Sequence, residues 1–357
     1  MSEGTGPAAG ATEARAPALV LVAPPSEASV PAETMLLGLP LVRRTILAAR
    51  RAGFGEILWD GGEPGAGLRV ALDGTPVRFV PASPPPAAVL PPGSVHLPWN
   101  DVVTVDALKA LRSGTGGGGS VRVESPSDLP KAESYLLRSL IKETDSFLAK
   151  RIDRKFSLAI SRRLAGTPVT PNQMTLFSVG IGLAGALFFL SARPASQLAG
   201  SLLFLLHSFL DGCDGELARL RFQESRRGGL LDFWGDNVVH VAVFLAIGAG
   251  WSGEIREAWP LWLGLSAAIG TVLSAGLVYR TTMREPKDGP LFTTVVRAPA
   301  SRFSRAVDAL ARRDFIFAVV LFSAFGKVSW FLVLAAVGSP LFFLVLLALQ
   351  GRGRKPS

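Results

Sequence analysis

The sequence predicts an all-α polytopic membrane domain with six transmembrane helices, preceded by a small α/β cytoplasmic domain. Three observations predict this. Long apolar runs dominate from Asn172 onward. The N-terminal third is instead rich in proline and glycine, with only short apolar runs. Four aspartates, Asp211, Asp214, Asp232 and Asp236, lie between two of the long apolar runs. Ionisable groups at membrane depth are costly and mark function. The 357-residue chain has 48% hydrophobic residues, mean hydropathy +0.36, net charge +9 and a pI near 10.3. Such basicity would also suit nucleic acid, but the Lys and Arg residues gather in loops beside the spans. That is the positive-inside pattern, and it suits anionic lipid. A single cysteine, Cys213, excludes an intramolecular disulfide framework. Met1–Pro17 lacks a basic segment followed by an apolar core, so no signal peptide is expected.

The elements follow in order. Residues 1–17 are read as a disordered N-terminus. Residues 18–112 read as the α/β domain. In it Ala18–Ala23 suits a buried parallel strand, Leu41–Ala52 a basic amphipathic helix and Glu56–Trp59 a second strand. Arg69–Ala71 and Val77–Val80 read as further short strands, and Val102–Leu111 as a strand running into a helix. Residues 113–130 read as a Gly/Ser-rich linker. Residues 131–166 read as juxtamembrane amphipathic helices. Their apolar side, including Leu136, Leu140, Phe156 and Ile160, is expected to lie in the membrane interface.

Residues 167–351 read as the membrane domain and 352–357 as a basic tail. The spans are Asn172–Ala192, Pro194–Asp211 continuing to Leu220, Gly228–Gly250 and Trp259–Tyr279, with two more in Asp314–Gln350 broken at Gly326-Lys327. Each of these last two is expected near the lower limit of about 17 residues. Loops on one side carry Lys150–Arg163, Arg219–Arg227, Arg280–Arg313 and Arg352–Lys355; the other side has Arg193, Arg256 and Lys327. The asymmetry places both termini and the acids at the cytoplasmic side, of a bacterial inner membrane.

The acids form a pattern, Asp211-x2-Asp214-Gly215-x2-Ala218-Arg219-x8-Gly228-x3-Asp232-x3-Asp236. On a helix, Asp214, Gly215 and Ala218 fall within about 60° of Asp211. Asp232 and Asp236 stack at i and i+4 on a second helix, with Gly228 on the same side. Four carboxylates of one sign need a cation. All-oxygen donors suit Mg²⁺ or Mn²⁺ rather than zinc. Four of them could hold two ions about 3.5–4 Å apart, a spacing that clamps both oxygens of a phosphoryl displacement. Gly215 and Ala218 leave a shallow patch on the acidic face, and Arg219 beside it can fork onto phosphate. His207 and His240 flank the acids and read as packing residues on apolar helices. Cys213 reads as a small buried side chain rather than a nucleophile.

This pattern resembles the signature of the CDP-alcohol phosphotransferases (CDP-alcohol phosphatidyltransferases), with every fixed position present. Pro171-Asn172-x2-Thr175 is similar to the run that opens that family's first membrane helix. The resemblance covers about Ser134 to the C-terminus. It implies a six-helix, metal-dependent membrane enzyme that moves a substituted phosphate from a CDP-alcohol to an acceptor hydroxyl, with release of CMP. Carried over, Asp211, Asp214, Asp232 and Asp236 would be metal ligands, and Asp236 would also take the acceptor's proton. Asp211, Gly215, Ala218, Arg219 and Gly228 would line the CDP site. A homodimer is implied as well, and no nucleic-acid partner. Arg313, at the start of span five, is the candidate for an acceptor's phosphate.

Gly38-x-Pro40-Leu41, with the helix and strand after it, is similar to the sugar-phosphate nucleotidyltransferases. Pro24-Pro25-Ser26 stands where that family has its glycine-rich triphosphate loop, and prolines lack the N–H donors that cradle phosphate. The domain therefore reads as degenerate. The combination resembles the bifunctional inositol-phosphate cytidylyltransferase and di-myo-inositol-phosphate-phosphate synthases. That resemblance points to CDP-inositol or CDP-diacylglycerol as donor, and to inositol phosphate or a lipid alcohol as acceptor. The alternatives are a catalytically silent membrane scaffold or nucleotide-binding protein, and a transporter or channel that uses the acids as an ion path. A channel would spread its acids across the bilayer depth, whereas these cluster at one end.

Overall fold

A computed structural model of the protein describes residues 17–24, 30–60, 64–75, 77–79, 94–116, 118–141, 154–283 and 315–352. They divide into two compact units, residues 1–139 and 140–357.

The first unit is built on a parallel sheet. Strand β1 (Leu19–Val22) is central, and its register with its neighbours is fixed by a fully buried apolar run, Ala18 to Leu21. A short hairpin, β2 (Met35–Leu36) and β3 (Leu39–Pro40), leads into helix α1 (Leu41–Ala52). The helix buries Leu41, Val42, Ile46 and Ala49 and ends at Gly53 in the left-handed region (φ 87°). It returns the chain to β4 (Ile57–Asp60), parallel to β1. Helix α2 (Ala66–Leu72) precedes β5 (Arg78–Phe79), and β6 (Val95–Pro98) pairs on the other side of β1, so the order is β5-β4-β1-β6.

Arg69–Ala71 is thus helical, not a strand. The helix starts after Gly65, and the Arg69 side chain folds back to donate to the Pro64 carbonyl at 3.0 Å. Arg44 of α1 is almost wholly buried and donates to the Leu36 and Leu37 carbonyls of the hairpin at 2.8 and 3.0 Å. Burial pushes this guanidinium down to about 10.

Strand β7 (Asp101–Val103) runs into α3 (Val105–Ser113), capped by Thr104, as expected for Val102–Leu111. The stretch read as a linker is partly ordered structure. Within it β8 (Ser120–Arg122) pairs antiparallel with β7, and Arg122 forks onto Asp101 at 2.8 and 3.2 Å. The glycines after Ser113 permit the return, and Val123 is completely buried. Helix α4 (Leu129–Ser139) belongs to this unit and buries Ala132 and Leu136. Residues 25 and 26 of the degenerate loop lie outside the described residues.

The second unit is helical: α5 (Arg154–Leu164), α6 (Pro171–Phe188), α7 (Pro194–Arg221), α8 (Arg226–Ile255), α9 (Trp259–Val278), α10 (Phe315–Ala324) and α11 (Val328–Arg352). Prolines at the first helical position open α6 and α7. Thr170 and Gln173 add a reciprocal capping box at the start of α6. One core joins the elements. Phe189 after α6, Phe204 of α7, Val243 and Ile247 of α8, Ala267 of α9, Val319 of α10 and Leu332 of α11 pack together.

Helices α8, α9 and α11 are long and apolar enough to cross a membrane by length and composition. Helix α7 is also long, but its C-terminal half carries Asp211, Asp214 and Glu216. The break at Gly326-Lys327 falls where expected, yet the two helices around it are unequal. The described part of α10 has 10 residues and α11 has 25. Large apolar side chains, among them Phe177, Leu206, Trp262, Leu273, Val337 and Leu344, remain exposed on the outside of the bundle. So large an apolar exterior suits lipid better than water.

Helices α6 and α7 touch backbone to backbone. A Cβ on Gly200 would lie 2.8 Å from the Gly185 carbonyl oxygen, and one on Gly185 would lie 3.0 Å from that of Gly200. Small residues at such crossings allow close approach in membranes. This contact sets where α7 delivers its acids relative to α6. Gly200→Val should therefore cost about 1–3 kcal/mol through overpacking. Thermal unfolding in detergent should register the loss, while Leu202→Ala, on the exposed face, should leave the midpoint within experimental scatter.

Candidate metal and nucleotide site

Asp211 and Asp214 come from the C-terminal half of α7, and Asp232 from the second turn of α8. Four residues, 222–225, connect the helices. Phe222 in the left-handed region ends α7, and the Ser225 hydroxyl accepts from the Gly228 amide to start α8. The reversal brings one carboxylate oxygen from each of Asp211, Asp214 and Asp232 within 4.8 Å of the others. Asp211 and Asp214 are buried, and Asp232 is half-buried. Three hard oxygen donors this close fit a small divalent cation, whose bonds of about 2.1 Å would be reached by small side-chain rotations.

Asp214 is held by its surroundings. The Thr175 hydroxyl of α6 donates to Asp214 Oδ2, and the Gly215 amide donates to Oδ1 of the same carboxylate. The Pro171–Thr175 run thus does two jobs: it caps α6 and orients one acid. Asn172 lies against Gly228, where a Cβ would stand 2.9 Å from its Oδ1. Gly215 is open on the acidic side apart from the Arg219 guanidinium, whose Nη1 would be 3.5 Å from a Cβ there. Ala218 and Arg219 lie one turn further along α7, both half-buried.

Asp236 is the fourth acid of the pattern but stands outside the close triad. It lies one turn beyond Asp232, about 5–6 Å along α8. Its Oδ1 is 3.4 Å from His207 Nε2. His207 was expected to be packing. It is instead a buried polar link, with Nδ1 2.9 Å from the Ser178 carbonyl. The i, i+4 spacing of His207 and Asp211 already places this ring on the acidic side of α7, and that was the signal available in the sequence. His240 does pack as expected, edge-on to Phe204 and Phe315. Cys213 is completely buried beside Met174 and Leu210. Arg313 lies outside the described residues.

A second polar cluster backs the site. Glu216 is fully buried on the opposite face of α7 from Asp214, and its carboxylate accepts three hydrogen bonds from α5. Arg154 Nη1 donates to Oε1 at 2.8 Å, Ser157 Oγ to Oε1 at 2.7 Å and Ser161 Oγ to Oε2 at 2.7 Å. Helix α5 thereby buries a serine face, while Phe156 is largely exposed and stacks on Phe209 at 5.3 Å. The serines turn inward because a buried carboxylate requires donors, while Ile160 and Leu164 of the same helix pack beside Met174, Leu210 and Cys213. At the end of α7, Arg221 donates to the carbonyls of Leu164, Ala165, Thr167 and Val169, the link between α5 and α6.

Two tests follow from this geometry. Thr175→Val removes the hydroxyl on Asp214 and should weaken Mn²⁺ binding about 10–100-fold, as loss of a group that orients a ligand typically does. Calorimetric titration of the detergent-solubilised protein measures it. Glu216→Ala strips three donors of their acceptor and should destabilise the fold by about 3–5 kcal/mol, read as a fall in the unfolding midpoint that Glu216→Gln reduces in part.

Residues 168–298, which contain every fixed position of the acidic pattern, match the family model for CDP-alcohol phosphatidyltransferases. A Thermococcus kodakarensis protein described as a bifunctional IPC transferase and DIPP synthase is 38% identical over 160 residues, covering 44% of this chain and 35% of that protein. A Rubrobacter xylanophilus protein of the same description is 34% identical over 179 residues, 48% of this chain and 40% of that one. The matched region spans well under half the length of these curated relatives. Among solved structures, the Mycobacterium tuberculosis phosphatidylinositol phosphate synthase with CDP-DAG bound is similar over 54% of this chain and 92% of its own, at 18% identity and a TM-score of 0.40. The acids on α7 and α8 all lie within the stretch, residues 168–298, that matches the CDP-alcohol phosphatidyltransferase family model.

Proposed function

We propose that this chain is an integral-membrane CDP-alcohol phosphotransferase. It transfers a substituted phosphate from a CDP-alcohol to an acceptor hydroxyl and releases CMP. The observation that carries this reading is the convergence of Asp211, Asp214 and Asp232 within the matched domain. A bound Mg²⁺ or Mn²⁺ pair would neutralise charge building on the diphosphate as the bond to CMP breaks. The chain's own groups do the rest. Asp211, Asp214 and Asp232 hold the cations, and Thr175 keeps Asp214 turned toward them. Arg219, with the open faces of Gly215, Ala218 and Gly228, receives the CDP moiety. Asp236 accepts the proton of the acceptor hydroxyl as that oxygen attacks phosphorus.

The donor is CDP-inositol or CDP-diacylglycerol, and the acceptor is a phosphorylated or lipid alcohol such as inositol phosphate. The identity to proteins described as IPC transferase and DIPP synthase favours the inositol-containing pair. Helices α6 to α11 are the six spans, α10 with α11 supplying the last two. The arginines around the α7–α8 turn put the acids at the cytoplasmic face of a bacterial inner membrane. In this reading the protein works as a homodimer in the bilayer, and its N-terminal unit no longer transfers nucleotides.

CMP release in detergent, with Mg²⁺ and a panel of CDP-alcohols and acceptors, tests the proposal. Wild-type protein should release CMP only when donor, acceptor and metal are all present. Asp236→Asn should lower turnover by at least about 10²–10⁴-fold, the usual contribution of a positioned base, while still binding the donor. Wild-type protein that binds Mn²⁺ and a CDP-alcohol but releases no CMP with any pair would instead be a silent nucleotide-binding protein.

A further inference from the structure

We propose that the outward face of α5 binds the headgroups of anionic phospholipids. The proposal goes beyond the transferase reading and does not depend on it. Its first support is how α5 is divided around its axis. The exposed residues of the helix, Lys155, Phe156, Ala159, Arg162 and Arg163, fall in one sector of about 120°. That sector holds three cations and one aromatic ring, and no acid occurs between Arg154 and Leu164. The opposite side carries Ser157 and Ser161, whose hydroxyls donate to the buried Glu216 carboxylate at 2.7 Å.

The place of this face in the bundle is the second support. On α7, Leu202, Leu206 and Phe209 follow at four- and three-residue steps, and both leucines are exposed. Phe156 stacks on Phe209 with the ring planes 8° apart. Phe156 thus continues the apolar exterior of α7, and Lys155 stands next to it in the chain. Cations beginning where an apolar exterior ends meet the headgroup layer of a bilayer.

The third support is what α5 does with its aliphatic side chains. Ile160 and Leu164 pack inward beside Met174, Leu210 and Cys213. The helix therefore does not float with an aliphatic face dipped among acyl chains, as an interfacial helix usually does. It is fastened to α7 and turns charge outward. An acidic protein would also match that charge, but it gives no reason for an aromatic ring that extends a lipid-facing stripe. Each Lys or Arg near an anionic membrane surface contributes about fivefold in affinity, so three together favour an anionic over a neutral headgroup by about 10²-fold. Salt should weaken this preference.

The test is a titration of the full-length, detergent-solubilised protein with short-chain phosphatidylglycerol or phosphatidylcholine, read by native mass spectrometry. Wild-type protein should bind phosphatidylglycerol more tightly. Combining Lys155→Gln, Arg162→Gln and Arg163→Gln should weaken phosphatidylglycerol about 10–100-fold and leave phosphatidylcholine within about threefold. Combining Lys155→Arg, Arg162→Lys and Arg163→Lys keeps the charge and should keep the affinity. An unchanged phosphatidylglycerol affinity in the glutamine variant would overturn the proposal, as would an equal fall for both lipids or an equal fall in the charge-keeping variant. Displacement of the lipid by inorganic phosphate at matched ionic strength would overturn it too, marking a site for a free anion. Equal affinity of wild type for the two lipids would reject lipid selectivity and leave an acidic protein as the fit. The readout needs no turnover, so a chain that releases no CMP would still decide it.

Discussion

Three carboxylates of one sign sit within a few ångströms of each other inside an apolar bundle, and the rest of the second unit is arranged to hold them there. Like charges at that range repel strongly where water is scarce. The bundle does not relieve the strain by letting the side chains splay. A four-residue turn joins the two acid-bearing helices, and the α6 backbone is pressed directly against α7 at the Gly185–Gly200 crossing. The acids are therefore preorganised for a cation. Electrostatic catalysis depends on such preorganisation, because the protein need not rearrange when charge develops.

The back of α7 is as polar as its front. Glu216 is buried with three donors from α5, so the helix carries acids on two opposite faces. The rear acid is matched by an arginine and two serines from within the chain. The front acids are placed where a divalent ion fits. One helix thus shows two solutions to the cost of a buried carboxylate: covalently supplied donors on one face and a metal-binding geometry on the other. The hydrogen bonds to α5 also make its docking directional, since serine hydroxyls tolerate little displacement.

Reading the residues alone recovered what depends on fixed spacing. The i, i+3 and i, i+4 steps of the aspartates place them on facing helix sides, and the described structure brings three of them together. Leu41–Ala52 starts after a proline and ends before a left-handed glycine, so its bounds are marked locally. What escaped depends on partners distant in sequence. Nothing near Ser157 announces that a glutamate some sixty positions later will draw it inward. Ser120–Arg122 looks like linker until its partner strand is known. Arg69–Ala71 is too short for its period to choose between helix and strand. His207 looked apolar by company, and only the Ser178 carbonyl and Asp236 beside it reveal a polar task.

Arg221 has a consequence of a different kind. Its guanidinium grips only main-chain oxygens between Leu164 and Val169. Those oxygens exist whatever side chains the connector bears. The connector is therefore free to drift in composition, so long as its path is kept, whereas the cation that reads that path is not. A lysine there would offer a single ammonium in place of a planar fork. Divergence among related chains should accordingly accumulate in the strap and spare the hand that holds it.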